Sequence, residues 1–405
     1  MISVHFGLSV LYIFCFAGTA LVAFWLVLPA FLNAIRIFTK KPKTITPAIE
    51  KQHFWVIVTA YESLQPSLPM LHFFNKENTY APLKVSIVAD KCTREDFSDY
   101  ENLPPHIEIL FPENALNSKV LSLRYALEKS AFAKESPAAV CVLDADNVPE
   151  QHFFAVLNNF WAQNFAVVQG RRVAKNLDTP IACADALGEI YKNYIERWIP
   201  FRLGSSASIA GSGMLVDFAL FKAFLYDKII QEKLDENGVV AAEDKLLQNF
   251  VVAQNKRIAF AWEAVVLDEK IRSGKQVQRQ RTRWLFAYFE NTQTARKLLW
   301  QGVKNVSANQ FVFALLSLIP PMFLLFLGGM FMFLLNTIFH FYPLAAISVA
   351  AVFIFVFHIF FSLYASEAPK AIWRNIWILP LFVVKQFWAF WQMKKAKSDF
   401  LTTKH

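Results

Sequence analysis

The chain has 405 residues, of which 55% are hydrophobic, 16% aromatic (41 are Phe) and only 18% charged, with a formal net charge of +9. That composition excludes a disordered chain, which would be poor in apolar residues, and departs from ordinary soluble proteins, where about 25% of residues are charged. With 12 Gly and 18 Pro it is neither collagen-like nor low-complexity, and so much Phe ties the positive charge to a membrane rather than to a nucleic acid.

Residues 1–35 contain no Asp, Glu, Lys or Arg, and the apolar run from Phe6 to Ile37 exceeds the ~20 residues needed to cross a bilayer. A cleaved signal peptide ending near Ala17-Gly-Thr-Ala20 would need a basic n-region and an apolar run that stops there; both are missing. A transmembrane signal anchor over 1–38 fits better. Arg36, Lys40, Lys41 and Lys43 follow, so the positive-inside rule places the next zone in the cytosol.

Residues 50–283 then read as one large α/β domain. Short runs rich in Val and Ile predict buried strands at Trp55–Tyr61, Leu83–Ala89, Ala138–Leu143 and Phe165–Gln169. Helical stretches over Lys119–Ala133, Gln151–Ala162 and Pro180–Trp198 alternate with them, which predicts a mainly parallel sheet with ligands beyond the carboxyl ends of its strands.

Residues 284–304 mix Trp284, Leu285, Phe286, Tyr288 and Phe289 with Arg296, Lys297 and Lys304, as in an amphipathic helix on a membrane surface or a packed helix at the domain edge. Residues 305–366 again lack Asp, Glu, Lys and Arg and hold two transmembrane candidates, 309–335 and 342–364. In 367–405, an apolar segment near 372–393 is interrupted by Arg374, Pro380 and Lys385 and ends in a basic tail of Lys394, Lys395, Lys397 and Lys404. A cytosolic tail requires an even number of C-terminal spans, which favours an interfacial segment here over a third span. The cysteines Cys15, Cys92, Cys141 and Cys183 have neither metal-ligand nor disulfide-framework spacing, and the eight histidines form no zinc motif.

The chemistry concentrates in a few short patterns. Val142-Leu-Asp144-Ala-Asp146-Asn147 ends an apolar strand with two carboxylates two residues apart, which on an extended chain face the same side. Hard oxygen ligands at a strand end suit Mg²⁺ or Mn²⁺ holding a diphosphate; a solvated Asx turn is the structural alternative. Asp90 ends a second strand and could accept hydrogen bonds from a nucleobase or ribose. Glu243-Asp244 opens a helix, where carboxylates are favoured electrostatically and where one could act as a general base toward an acceptor hydroxyl. In Gln280-Arg281-Thr282-Arg283-Trp284 the arginines suit phosphate oxygens and the indole suits a sugar face; a lipid-facing basic cluster is the alternative.

Taken in order, Val-Thr-Ala-Tyr61-Glu62, Val-Ala-Asp90-Lys-Cys-Thr93, Leu-Asp144-Ala-Asp146-Asn147, Val168-Gln-Gly170, Ala210-Gly-Ser-Gly213-Met, Glu243-Asp244 and Gln280-Arg-Thr-Arg-Trp284 resemble the membrane-bound family 2 glycosyltransferases, the group of the cellulose, hyaluronan and poly-N-acetylglucosamine synthases. The resemblance covers roughly residues 50–300. It implies a GT-A fold and a nucleotide-sugar donor, a UDP-sugar. It gives Asp90 a contact to the uridine, places Tyr61, Glu62, Lys119 and Asp144 against the nucleotide, and makes Asp146 the metal ligand. It makes Asp244 the base of an inverting transfer that leaves a β-linked product. Gln280, Arg281 and Arg283 would hold the diphosphate, and Glu243 and Trp284 the acceptor.

The departures are specific. Ala89-Asp90-Lys91-Cys92 replaces the usual Asp-Asp-Gly-Ser, Ala242-Glu-Asp244 replaces Thr-Glu-Asp, and Asn117-Ser-Lys119 stands in for a Gly-Lys-rich loop. The membrane part is smaller than in the large synthases, which weakens export of a long polymer through the chain's own channel and leaves an export partner open. The resemblance implies a growing polysaccharide as acceptor at the cytosolic face of a bacterial inner membrane. A membrane lipid is the alternative acceptor. A catalytically dead scaffold is disfavoured by the intact Asp90, Asp144, Asp146 and Asp244, and a small-solute transporter by the long domain between the apolar zones. Of the +9 charge, residues 305–405 supply +5, so most of the excess flanks the apolar C-terminal segments.

Overall fold

The computed structural model describes residues 2–38, 45–75, 83–93, 103–238, 240, 242–272 and 274–392. The lysines at 40, 41, 43, 394, 395, 397 and 404 and the stretch Arg94–Asp96 lie outside them.

Helix α1 (Ile2–Phe38) precedes a domain built from β1 (Phe54–Tyr61), α2 (Leu68–Asn75), β2 (Leu83–Asp90), β3 (Ile107–Leu110), α3 (Lys119–Lys129), β4 (Ala139–Asp144), β5 (Val148–Pro149), α4 (Phe153–Trp161), β6 (Val167–Ala174), α5 (Pro180–Lys192), α6 (Ile199–Arg202), β7 (Met214–Asp217), α7 (Phe218–Leu225), α8 (Lys228–Asn237), α9 (Glu243–Ala253) and β8 (Ile258–Asp268). The eight strands form one sheet in the order β3-β2-β1-β4-β7-β6-β8-β5. Strands β1, β2, β3 and β4 run parallel, β6 and β8 pair parallel, and β7 and β5 are antiparallel to their neighbours.

The parallel half was predicted because its strands are buried on both faces and read as unbroken apolar runs. Phe54, Trp55 and Ile57 are fully buried, each contributing about 1.5–3 kcal/mol. Strands β3, β5, β7 and β8 were not predicted; the first three are only two to four residues long. Strand β8 is interrupted where its register on β6 jumps between Gly170 and Arg171. Gly170 is the cause: a Cβ there would lie 2.9 Å from the Ala264 carbonyl oxygen and 3.0 Å from that of Gly213, so the backbones cross where only glycine fits.

Helix α5 starts cleanly, with Pro180 at N1 and Thr179 Oγ1 accepting from the Ala182 amide. It runs through a π-helical turn (Asn193–Trp198) into α6. This stretch couples the domain to the apolar helices. Tyr191, Tyr194, Ile195 and Ile199 pack with Leu26, Leu28 and Leu32 of α1. Tyr194 donates to Asn33 Oδ1 at 3.3 Å, and the Arg36 guanidinium lies 4.5 Å over the Trp198 ring.

The motif Gln280–Trp284 is not a loop ahead of an interface helix. It lies within α10 (Gly274–Lys304), so the expected domain boundary at 283 falls inside a helix. Leu285, Ala295 and Leu298 of α10 are buried, while Trp300 is 61% exposed. The expected span over 309–335 is a broken pair, α11 (Ala308–Ser317) and α12 (Met322–Ile338), bent by 71° at Pro320-Pro321. Neither proline has an N–H to continue the helical ladder, and each disfavours helix in the residue before it. Among the described residues, two helices are long and apolar enough to cross a membrane, Ser9–Phe38 within α1 and Tyr342–Ala365 (α13), with the bent pair a third if it is one span. Gly329 lets α12 close on its neighbours, since a Cβ there would stand 2.4 Å from Val352 and 3.1 Å from Leu26. Beyond α14 (Lys370–Arg374), the segment near 372–393 folds as a shorter apolar helix, α15 (Leu379–Gln392), packed on α10 and α12.

Candidate active site

The parallel strands place the first functional groups by register. Tyr61 pairs with Asp90 across β1 and β2, and Thr59 pairs with Asp144 across β1 and β4. Three carboxyl-terminal strand ends therefore open at one edge, where ligands bind in open α/β sheets. A cavity of about 1250 Å³ starts there and runs back to the apolar helices. Every residue that the sequence singled out lines it: Tyr61, Glu62, Asp90, Lys119, Asp144, Asp146, Glu243, Asp244, Gln280, Arg281, Arg283 and Trp284.

Asp90 is buried, and its carboxylate accepts from the backbone amides of Leu116 (2.9 Å) and Asn117 (2.7 Å). It thereby fixes the loop that enters α3, whose first residue is Lys119. Tyr61 Oη donates to Asn117 Oδ1 and accepts from Lys91 Nζ at 2.8 Å, which braces the same loop. Lys119 Nζ then bridges Asp144 Oδ1 (2.5 Å) and the Gly211 carbonyl (2.9 Å), with Glu243 Oε1 at 3.8 Å. Burial alone would lower the Lys119 pKa, but Asp144 and Glu243 outweigh it and raise it.

The two carboxylates of Asp144-Ala-Asp146 do not share an extended chain. Strand β4 ends at Asp144 and the next residues turn, because the Asn147 amide donates to the Asp144 carbonyl (3.0 Å) while Asn147 Oδ1 accepts from the Asp144 amide (3.3 Å). The local geometry is thus a β-turn closed by the Asp144 carbonyl, not the Asx turn, and it still delivers both side chains to the cavity. Among the described residues no group of three His, Cys, Asp or Glu could hold a metal unaided. The donor set fits Mg²⁺ or Mn²⁺ of the kind that takes one or two carboxylates and completes its shell with substrate phosphates and water.

Glu243 and Asp244 open α9 after Ala242, which sits at φ +57 in the left-handed region. Gly211, at φ +85, brings its loop to within van der Waals reach of Asp244: a Cβ there would be 3.8 Å from the Asp244 Cβ. Gln169 holds that loop, its Nε2 donating to the Ser212 and Gly213 carbonyls and its Oε1 accepting from the Ala210 amide. Burial raises the Glu243 pKa, and the neighbouring Asp244 adds to this against the opposing pull of Lys119.

Behind these groups, Arg281 pairs with Asp185 and stacks on Trp284, its guanidinium 4.5 Å from the ring. Gln280 lines the cavity with a buried Oε1 that has no hydrogen-bond partner. Sequence reasoning missed the rest of this region. Arg172 and Lys270 pair with Asp268 at 2.6 and 2.7 Å, and Arg197 with Glu189 at 2.8 Å. Burial would raise the Glu189 carboxyl, but Arg197, Lys270 and Arg172 overcome it and hold it well below the carboxylate range. The available signal was a polar stripe through an apolar helix, Asp185, Glu189, Asn193 and Arg197 at four-residue spacing.

Residues 51–287 match the family described as Glycosyltransferase like family 2. No curated protein matches the chain. Among solved structures, the chain is similar to mannosyltransferase PcManGT from Pyrobaculum calidifontis, solved with GDP-Man and Mn²⁺, at 14% identity over 96% of this chain and 98% of that one, with a TM-score of 0.53. A further match is S. aureus TarS 1-349 in complex with UDP-GlcNAc, at 13% identity over 74% and 89% of the two chains, with a TM-score of 0.35. The family match spans more than half of the sequence and includes each motif from Tyr61 to Trp284, so this chain belongs to the family 2 glycosyltransferases and is built on the GT-A fold.

Proposed function

We propose that the chain moves a sugar from a nucleotide-sugar donor, a UDP-sugar, to an acceptor hydroxyl at the cytosolic face of a bacterial inner membrane, inverting the anomeric centre. The observation that carries this reading is that one cavity gathers Asp90, Asp144, Asp146, Glu243, Asp244 and Trp284 from four separate stretches of the chain. The similar mannosyltransferase was solved with a nucleotide sugar and Mn²⁺, in line with this reading.

Asp90 and Tyr61 lie where they can hold the nucleoside, with Glu62 beside them. Lys119, bound to Asp144, puts a cation beside the diphosphate path, and Arg283 adds another at the far side. Asp146 would hold Mg²⁺ or Mn²⁺ together with the donor phosphates; when bound, that ion neutralises the departing diphosphate. Asp244 takes the proton of the acceptor hydroxyl. The hydroxyl oxygen forms its bond to the anomeric carbon as the carbon–diphosphate bond breaks on the opposite face, and the nucleoside diphosphate leaves with the electron pair. An α-linked donor thus gives a β-linked product. Glu243, beside Asp244 and within reach of Lys119, would help hold the acceptor hydroxyl.

The Gln280–Trp284 motif supports a growing polysaccharide as acceptor. A second observation favours a membrane lipid: behind Trp284 the cavity is walled by Ile319, Met322, Leu325 and Phe355 of the apolar helical region. Purified, detergent-solubilised protein given UDP-glucose or UDP-N-acetylglucosamine with Mg²⁺ or Mn²⁺ tests both levels. UDP release is expected to fall about 10²–10⁴-fold in Asp244→Asn; normal turnover by that variant would show the base to be misassigned. Sizing the product by mass separates polymer from glycolipid.

A further inference from the structure

Among the described residues, one cation at the rear of the cavity, Lys192, makes no direct ion pair. Arg281 has Asp185, Arg197 has Glu189, and Arg172 and Lys270 share Asp268. Lys192, the last residue of α5 before the π-helical turn, lines the same cavity and makes no ion pair or hydrogen bond among the described residues. Its ammonium lies 4.8 Å over the ring of Trp284. Glu196, one turn on, takes a contact from Ser208 Oγ (3.5 Å) and forms no ion pair with Lys192.

A half-buried ammonium held without a counter-charge is costly. Burial lowers its pKa, Glu196 and Glu189 pull it back up in part, and the nearby Arg281 and Lys245 push it down. An aromatic face recovers part of that cost, but it accepts no hydrogen bond, so the ammonium's N–H donors have no hydrogen-bond acceptor among the described residues. The cavity that Lys192 lines is also lined by the apolar side chains of Met322, Leu325 and Phe355.

We propose that Lys192 determines acceptor specificity: it binds an anionic group, phosphate or carboxylate, in the headgroup of a membrane-lipid acceptor whose hydroxyl reacts in front of Trp284 and whose chain lies along the apolar wall. This rests on the transferase function proposed above and on Trp284 as the acceptor platform. A compact ammonium suits a tetrahedral anion approached from one side.

The test is isothermal titration of dodecyl phosphate into the full-length protein in dodecyl maltoside micelles, with inorganic phosphate in a parallel arm. Replacing a charged donor by a neutral one should weaken dodecyl phosphate binding about tenfold or more in Lys192→Gln, and Lys192→Arg should restore most of it. Equal binding by wild type and Lys192→Gln would overturn the proposal. Inorganic phosphate binding as tightly as dodecyl phosphate would overturn the lipid source. UDP binding with Mn²⁺, measured on the same samples, reports on the donor site separately. A wild type that fails to bind UDP undermines the transferase reading, whereas UDP binding with no Lys192 effect removes only the acceptor assignment.

Discussion

The front and the rear of the cavity are built by different means. At the front, strand ends and the first turns of helices supply the acids and Lys119; two backbone amides, of Leu116 and Asn117, hold Asp90, while Lys119 bridges Asp144 and the Gly211 carbonyl. At the rear, charges from β6, α5, the π-helical turn, the end of β8 and α10 pair with one another: Arg172 and Lys270 with Asp268, Arg197 with Glu189, and Arg281 with Asp185. The electrostatics differ accordingly. Glu243 at the front has a raised pKa, because burial outweighs Lys119, whereas Glu189 at the rear has a lowered one, because three cations outweigh burial. A site can thus combine a carboxyl available for proton-linked chemistry with a carboxylate that serves only as a fixed anion.

The largest separation between the two ends should come from the front acids. Asp146→Asn is expected to abolish the Mg²⁺ or Mn²⁺ stimulation of UDP release while the protein remains folded by circular dichroism. Next comes the rear ion cluster: Glu189→Gln leaves Arg197 buried and uncompensated, at about 3–5 kcal/mol, measurable by thermal unfolding in detergent. Its sign with pH is fixed. A lowered folded pKa contributes stability that is present above the ordinary value of 4.5 and lost as pH falls through the folded value, so the variant's deficit should shrink in acid. Glu243 must behave oppositely. Its raised folded pKa contributes stability below 4.5 that is lost as pH rises through the folded value, so Glu243→Gln should narrow or reverse any deficit at pH 7 to 8. Parallel pH profiles for the two variants would break the contrast.

A smaller effect is expected from the glycine that frames the front. Gly213 has φ +64, and a Cβ there would lie 2.6 Å from Val266 Cγ1. Gly213→Ala should cost about 1–3 kcal/mol through overpacking and backbone strain, read as a lower midpoint in thermal unfolding. An unchanged midpoint would mean that the loop holding Gly211 against Asp244 is less constrained than its geometry implies.

The same division explains what was legible in the sequence. Strands β1, β2 and β4 are continuous apolar runs, and β2 and β4 end in acids, so both the fold class and Asp90, Asp144 and Asp146 stand out locally. Lys119 and Asp244 sit at helix starts, where short motifs mark them. The antiparallel strand β7 spans only Met214–Asp217 and carries no alternation to detect. The Asp144–Asn147 turn depends on Asn147 folding back on Asp144, which a two-residue spacing cannot reveal. Lys192, Asp185 and Glu189 lie within a helix that packs against α13 and α14, so their burial is a tertiary fact with no local signature. The bend between α11 and α12 was written in Pro320-Pro321, but hydropathy alone merges the two into one span.

The central claim is a nucleotide-sugar transferase whose ion is shared between Asp146 and the donor diphosphate. It is tested most directly by UDP release from UDP-glucose and UDP-N-acetylglucosamine by the purified full chain, with Mn²⁺, with Mg²⁺ and with chelator. The account predicts release by wild type with either ion, none with chelator, and none from Asp146→Asn. Release that persists undiminished in chelator and in Asp146→Asn, or no turnover of any nucleotide sugar, would contradict it.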